Sequence, residues 1–391
     1  MDRVIETDVI VAGLGAVGAA IAYQLSRRGV DFVGIDRWAP PHESGSSHGQ
    51  SRITREFVGE GPEYVPLVRR SHEIWADLEA KGHRLRERTG LLYLARKGGM
   101  ARRHGAEDFI RATLQASVAA SGRELPELDA RALRRDYPQF RVADDTVGYL
   151  EPEAGFVRPE MCIAAQLAEV AEPARALVFG ETITGLAHDG RGVRVSTDKA
   201  QYRASKVVLA MGAWLPAFVG GAFREKLQVL RQVQYWFRLD DPARWAGPRA
   251  PAFLWFHGDA DADVFYGFPP IDGAASVKVA TEQYVTTCDP DSCERRVSEA
   301  EAAAMFETHV RGQLQGVSRE LVAATTCFYT FNTEGPAKGR FMIGPHPTTP
   351  GVTVVSACSG HGFKHSAGLG EAVVQQLLGE PSAFDLTLFA P

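Results

Sequence analysis

Apolar and polar positions change period several times along this chain, and the first change falls at its start. Asp8 to Ala12 is apolar and β-branched, which predicts a buried strand. From Ala16 to Arg28 apolar residues recur at helical spacing until Gly29 stops them, and Phe32 to Ile35 returns to strand, so the segment up to Asp36 reads as one βαβ unit. A long amphipathic helix is predicted around Pro62 to Lys81, with Tyr64, Leu67, Val68, Ile74, Trp75 and Leu78 as its inward stripe. "RTGLLYLARKGG" predicts a strand, and the Ala-, Arg- and Glu-rich stretch Ala101 to Leu133 a helix. A helix over Pro159 to Val170 precedes alternating strands in "VRVSTDKAQYRASKVVLAMG", which return to the first sheet near Gly212. From about Leu227 the strands lengthen and gain aromatics ("QVQYWFRL", "DVFYGF", "SVKVAT"), the composition of an antiparallel sheet and the candidate substrate domain. "CDPDSCERR" reads as a loop leading into a helix from Ser298 to Gln315.

A chain of 391 residues exceeds one compact core, so two interlocked domains are expected. With 45% hydrophobic and 23% charged residues and a formal net charge of -5, nothing predicts a nucleic-acid partner. No apolar run approaches the ~20 residues that span a bilayer. Acidic Asp2, Glu6 and Asp8 argue against a signal peptide, so no membrane association is expected. Five cysteines, odd in number and widely spread, fit the reducing cytoplasm. Cys288 and Cys293, with no histidine nearby, make weak zinc spacing.

Chemistry enters with "VAGLGAVGAAIAYQLSRRG". Gly13, Gly15 and Gly18 form GxGxxG between strand and helix: the first permits a tight turn, the second lets a pyrophosphate approach backbone, and the third lets helix touch strand. Asp36, ending the next strand, is expected to accept from ribose hydroxyls, with Arg37 beside it. The motif alone does not separate FAD from NAD. The polar loop "GSSHGQSRITREFVGEG" holds Ser46, His48, Arg52, Arg55 and Glu60 and must emerge beyond the strand ends, where such sheets bind ligands.

Taken in order, the fingerprint, "GSSHGQSRITR", "GEGPEYVPL", "VVLAMGAW", "FYGFP", "TTCFYT" and "SGHGFKHSAGLGE" resemble the monomeric sarcosine oxidase family, which includes N-methyltryptophan and pipecolate oxidases. The resemblance covers nearly the whole chain. It implies an α/β (α+β) fold, with a discontinuous Rossmann-like FAD-binding domain (1–88, 148–222, 326–391) interlaced with an antiparallel-sheet substrate domain (89–147, 223–325). It also implies FAD held covalently through Cys327, whose thiolate would need positive charge nearby. Gly360, His361, Gly362, Phe363 and Lys364 align with the segment that meets the flavin ring and substrate, while Ile183, Gly212 and Trp214 align with residues passing near the cofactor.

By the same resemblance Arg55 and Lys364 grip the substrate carboxylate, as a buried anion requires. Lys278 assists oxygen activation with Arg52 as companion charge, because a fixed positive charge stabilises superoxide. His48 and Tyr266 line the ring and the substrate pocket. The implied reaction is oxidation of a secondary amino acid: a hydride leaves the carbon beside nitrogen for the flavin, an imine forms, and O2 becomes H2O2. No side-chain base is needed if the amine binds neutral.

Two departures bear on specificity. Glu282 stands where sarcosine oxidases have histidine, and is expected to face the pocket and disfavour a second substrate anion. Val58 replaces a tyrosine and is expected to enlarge or dry the entrance. A bulkier N-methyl or cyclic amino acid is therefore as good a candidate as sarcosine. The partners implied are that small molecule and O2, and the chain is expected to be a monomer. Three alternatives stay open at this point: a dehydrogenase or complex subunit feeding a quinone or flavoprotein, a flavin-binding protein without turnover, and a nicotinamide-dependent dehydrogenase.

Overall fold

Three β-sheets organise the chain in the computed structural model, which describes residues 4–99, 101, 103, 108–172, 176–335 and 338–391. The first has eight strands. Its centre is Val4–Ala12, which runs parallel to Phe32–Asp36 on one side and to Gln201–Leu209 on the other. Val9, Ile10, Val11 and Ala12 are buried, as a strand covered on both faces requires. Val193–Thr197 pairs antiparallel with Gln201–Leu209, so the expected return to the first sheet near Gly212 is present.

The helix Ala16–Arg27 starts at Gly15, and the C-terminal helix Ser366–Leu378 packs across it. Their axes come close because Gly370 faces Ala20: a Cβ on Gly370 would lie 2.5 Å from the Ala20 Cβ. Gly368 does the same against Val65–Glu79, where its Cβ would lie 2.4 Å from the Leu67 carbonyl oxygen. These two crossings hold the Gly360–Phe363 segment over the C-terminal ends of the parallel strands. The predicted stripe is buried as expected, although Pro62–Tyr64 is a 3-10 turn and the α-helix begins at Val65.

The seven-stranded sheet runs in the order Val317–Asn332, Leu227–Leu239, Ser276–Thr281, Val264–Phe268, Ala252–Phe256, Leu91–Arg96, Thr146–Glu151. It is not purely antiparallel: Ala252–Phe256 pairs parallel with Leu91–Arg96. The upstream segment thus supplies two strands at one edge. Phe237, Phe253, Phe265, Trp245 and Phe140 fill the core on one face. Truncating one such ring to alanine typically costs about 3–5 kcal/mol.

Two predicted helices are shorter than expected. Among the described residues within Ala101 to Leu133, only Phe109–Ser121 and the start of Ala130–Asp136 are helical. Asp108 and Asp129 cap the two N-termini, while Gly122 closes the first helix at φ +69°, a conformation that favours glycine. The Ser298 helix has its capping box with Glu301, then passes at Phe306 into a π-turn that ends at Val310. Among the described residues no helix is long and apolar enough to cross a membrane.

Candidate active site

A cavity of about 510 Å³ runs from the glycine-rich turn of the first sheet to the face of the second. At one end Gly13 sits at φ +86°, and a side chain there would place its Cβ 2.6 Å from the Ala210 carbonyl oxygen. A Cβ on Gly18 would fall 1.8 Å from the Gly13 carbonyl oxygen, so helix and turn can touch only with glycine. Gly15 differs: it lines the cavity, and the space its Cβ would enter is open to 4 Å. Asp36 lines the cavity too, but its Oδ2 accepts from the Leu14 amide at 2.7 Å and its Oδ1 from the Trp38 amide at 2.9 Å. Its first task is therefore to lock the turn, beyond the ribose contact expected from sequence. Arg37 is tied to Asp291 at 2.6 Å, and Ile183, Gly212 and Trp214 line the same end, where Trp38 and Trp214 meet at 4.9 Å.

The other end is built from buried charge. Arg55 Nη2 donates to Glu60 at 2.7 Å, and Lys364 Nζ donates to the other oxygen of the same carboxylate at 3.2 Å. All three side chains are at most 4% exposed. Arg55 also donates to the Phe57 carbonyl and to Tyr93 Oη, and Lys364 donates to the His361 carbonyl at 3.0 Å. Burial pushes the Lys364 ammonium down to about 8, with Glu60 drawing it back up. Arg55, which burial alone would lower, is held above its ordinary value by Glu60. The predicted clamp is thus brought together, and Glu60 occupies it.

Arg52 lines the cavity and donates to the carbonyls of Ser46 and Ser51, each at 2.8 Å. Tyr266 lines it with its phenol pushed up to about 12 by burial. Gly360, His361, Gly362 and Phe363 line it as expected, with His361 Nε2 donating to the Gly339 carbonyl at 2.9 Å.

Several sequence-derived candidates do not line the cavity. Lys278 is 1% exposed and donates to the Gly49 carbonyl (2.5 Å), the Ser51 carbonyl (2.9 Å) and Ser51 Oγ (3.1 Å), and burial holds its amine well below its ordinary value. His48 is buried and stays neutral, lowered to about 3 by burial and then by Arg52 and Lys278. Cys327 is buried and its Sγ accepts from Gln234 Nε2 at 3.3 Å. Val58 does not widen the entrance; being apolar and branched, it joins the core cluster that includes Leu67, Val68 and Leu369. Glu282 does face the cavity, but not as an uncompensated anion. Arg103 chelates it, and Tyr284 Oη donates to it at 2.7 Å.

Arg103, Tyr284, Tyr329 and Cys358 escaped the sequence reading. Tyr329 and Cys358 sit in or beside quoted motifs, and both line the cavity. Nothing local marks Arg103, whose partner lies 179 residues away.

An FAD molecule fits these walls. The turn leaves open space beside Gly15 for a diphosphate, and the helix Ala16–Arg27 points its N-terminus there. Thr330 lines the other half of the cavity with a buried Oγ1 that has no partner among the described residues, so a polar ring edge has a hydrogen-bonding group to meet.

Comparison with known proteins agrees with this geometry. The profile of the family described as FAD dependent oxidoreductase (DAO) matches residues 8–376. A monomeric sarcosine oxidase of Streptomyces avermitilis is 36% identical over 98% of this chain and 97% of its own. An N-methyl-L-tryptophan oxidase of Salmonella typhimurium is 32% identical over 98% and 97%. Among solved structures, NikD, an unusual amino acid oxidase essential for nikkomycin biosynthesis, shares the fold at a TM-score of 0.83 and 24% identity, covering 99% of this chain and 98% of NikD. The L-proline dehydrogenase of P. horikoshii shares it at 0.75 and 16%, covering 100% and 98%.

Proposed function

Because this chain belongs to the FAD-dependent oxidoreductases of the DAO family, we propose that it oxidises secondary amino acids, N-methylated or cyclic, at the carbon beside nitrogen, yielding an imine. One observation supports this reading above the rest: the buried Arg55 and Lys364 side chains converge on a single carboxylate at one end of the cavity. A substrate carboxylate matches the chemistry Glu60 presents there. In exchanging with Glu60 it would keep two charge-assisted hydrogen bonds that a neutral group cannot replace.

Bound in the cavity, FAD would supply the hydride acceptor, and O2 would take up its two electrons with two protons to leave as H2O2. The chain's own residues position and bias that chemistry. Arg55 and Lys364 fix the carboxylate, and Arg52 adds a permanent positive charge to the wall. Tyr266, with its phenol proton retained, is a donor. His48, held neutral, brings no further charge. Lys278 buries an amine against the Gly49–Ser51 backbone, behind the cavity wall, and when protonated it would stabilise a reduced-oxygen anion from there.

We further propose that Cys327 carries the flavin covalently, that the protein is a cytoplasmic monomer, and that it divides between the two interlaced domains expected from sequence. All five cysteines are free, and the similar Streptomyces protein is a monomeric oxidase.

The test is a purified sample exposed to N-methyl and cyclic amino acids in air. One H2O2 per O2 consumed is expected, and colour that stays with acid-precipitated protein. A white precipitate removes the tether, and no oxygen uptake with any secondary amino acid removes the activity. Peptide mapping separates Cys327 from Cys358, the thiol that lines the cavity. Lys278 turns its amine to backbone rather than into the cavity, which favours a second reading with a quinone or flavoprotein as acceptor. Anaerobic flavin reduction with little peroxide in air would establish it.

A further inference from the structure

The carboxylate clamp leaves one charged pair of the cavity unexplained. Arg103, just before the helix Phe109–Ser121, chelates Glu282, just past the strand Ser276–Thr281: Nε donates to Oε2 at 3.0 Å and Nη2 to Oε1. The side chains are 8% and 3% exposed, and both line the cavity. Tyr284 Oη donates to Oε2 at 2.7 Å, and Tyr329 Oη reaches Oε1 at 3.5 Å. A carboxylate has about four acceptor positions. Glu282 is therefore committed to neutralising Arg103 and holding the two phenols.

The guanidinium is not used up in the same way, because Nη1 makes no hydrogen bond among the described residues. Position matters as much as bonding. The Arg103 guanidinium lies 5.3 Å from the Phe109 ring centre, and that of Arg55 lies 5.0 Å from the same ring. The pair therefore stands near the carboxylate clamp, on cavity wall within reach of the side chain of a substrate held there. This wall is formally neutral and offers N–H donors. An apolar side chain would cover those donors without partners, and a carboxylate would confront Glu282 across an already balanced pair.

Resting on the proposed activity, we infer that Arg103, set by Glu282, reads the substrate side chain and selects an uncharged hydrogen-bond acceptor such as a carboxamide over apolar or acidic groups of the same shape.

N-methylleucine, N-methylasparagine and N-methylaspartate are near-isosteres that isolate this choice. Their kcat/KM for anaerobic flavin reduction is expected to favour the asparagine derivative by at least tenfold, carried in KM. Arg103→Met, with flavin content checked, should erase the preference over the leucine derivative. Glu282→Gln, which removes the balancing charge while keeping the shape, should raise the aspartate derivative at least tenfold. The second variant also stands in if the first fails to fold. An equal or better leucine or aspartate derivative in the wild type overturns the inference and leaves the activity standing. So does an unchanged order in both variants. Failure of all three, and of N-methylglycine and proline, to reduce the flavin overturns the proposed activity itself.

Discussion

The two ends of the cavity are held by opposite means. The nucleotide end is made by omission: Gly13 and Gly18 have no side chain because a Cβ would strike backbone, and Asp36 spends one oxygen on the Leu14 amide of the turn and the other on the Trp38 amide just past its own strand. The substrate end is made by addition, with Arg55, Lys364 and Arg103 buried against Glu60 and Glu282. The first tolerates almost no added volume. The second tolerates volume better than it tolerates a change of charge, since a buried charge left without its partner typically costs about 3–5 kcal/mol.

That contrast can be broken most severely at Gly18. Gly18→Val puts its Cβ where the Gly13 carbonyl oxygen stands, and the purified protein should contain no flavin. Wild-type flavin stoichiometry by absorbance would contradict the steric account. Next is Arg55→Met, which leaves Glu60 and any ligand carboxylate with fewer charged partners. Anaerobic kcat/KM should fall roughly 10²- to 10³-fold, as expected when one partner of a buried hydrogen-bonded charge pair is lost.

Lys278→Met separates the half-reactions. Reoxidation by O2 in stopped flow should slow about 10²-fold while reduction by substrate is unchanged. Equal losses in both would assign Lys278 to shaping the Gly49–Ser51 loop alone. The smallest effect is one of pH. Burial lowers Lys364 to about 8, so its charge is present below that pH and is lost as pH rises through it, well before a free lysine would titrate. Binding of a carboxylate without an ionisable amine should weaken about tenfold or less above pH 8, and the Lys364→Met profile should be flat there.

The same contrast explains what was legible in the sequence. The βαβ unit could be read because its determinants are local: Gly13, Gly15, Gly18 and Asp36 lie within one strand-turn-helix-strand segment, and each answers a backbone requirement. That Arg55 and Lys364 belong together could be read only through motif order, since Lys364 meets Glu60 across 304 residues. Arg103 was invisible because no local pattern distinguishes it from the other arginines near it in sequence, and only the fold brings it to Glu282. Glu282 was read correctly as facing the cavity and wrongly as free charge, for the same reason. Val58 was placed at the entrance by its alignment with a tyrosine, whereas its neighbours in space are Leu67, Val68 and other core residues. The long helix expected over Ala101 to Leu133 failed at Gly122, where composition outweighed a legible stop signal.

The central claim is that the charged end exists to hold a carboxylate beside a secondary amine. Its most direct measurement is anaerobic flavin reduction by matched pairs, proline against pyrrolidine and N-methylglycine against dimethylamine, in the wild type and in Arg55→Met. The account predicts rapid bleaching by at least one acid, little or none by its carboxylate-free partner, and collapse of the difference in the variant. Equal bleaching by the carboxylate-free amines in the wild type would contradict it.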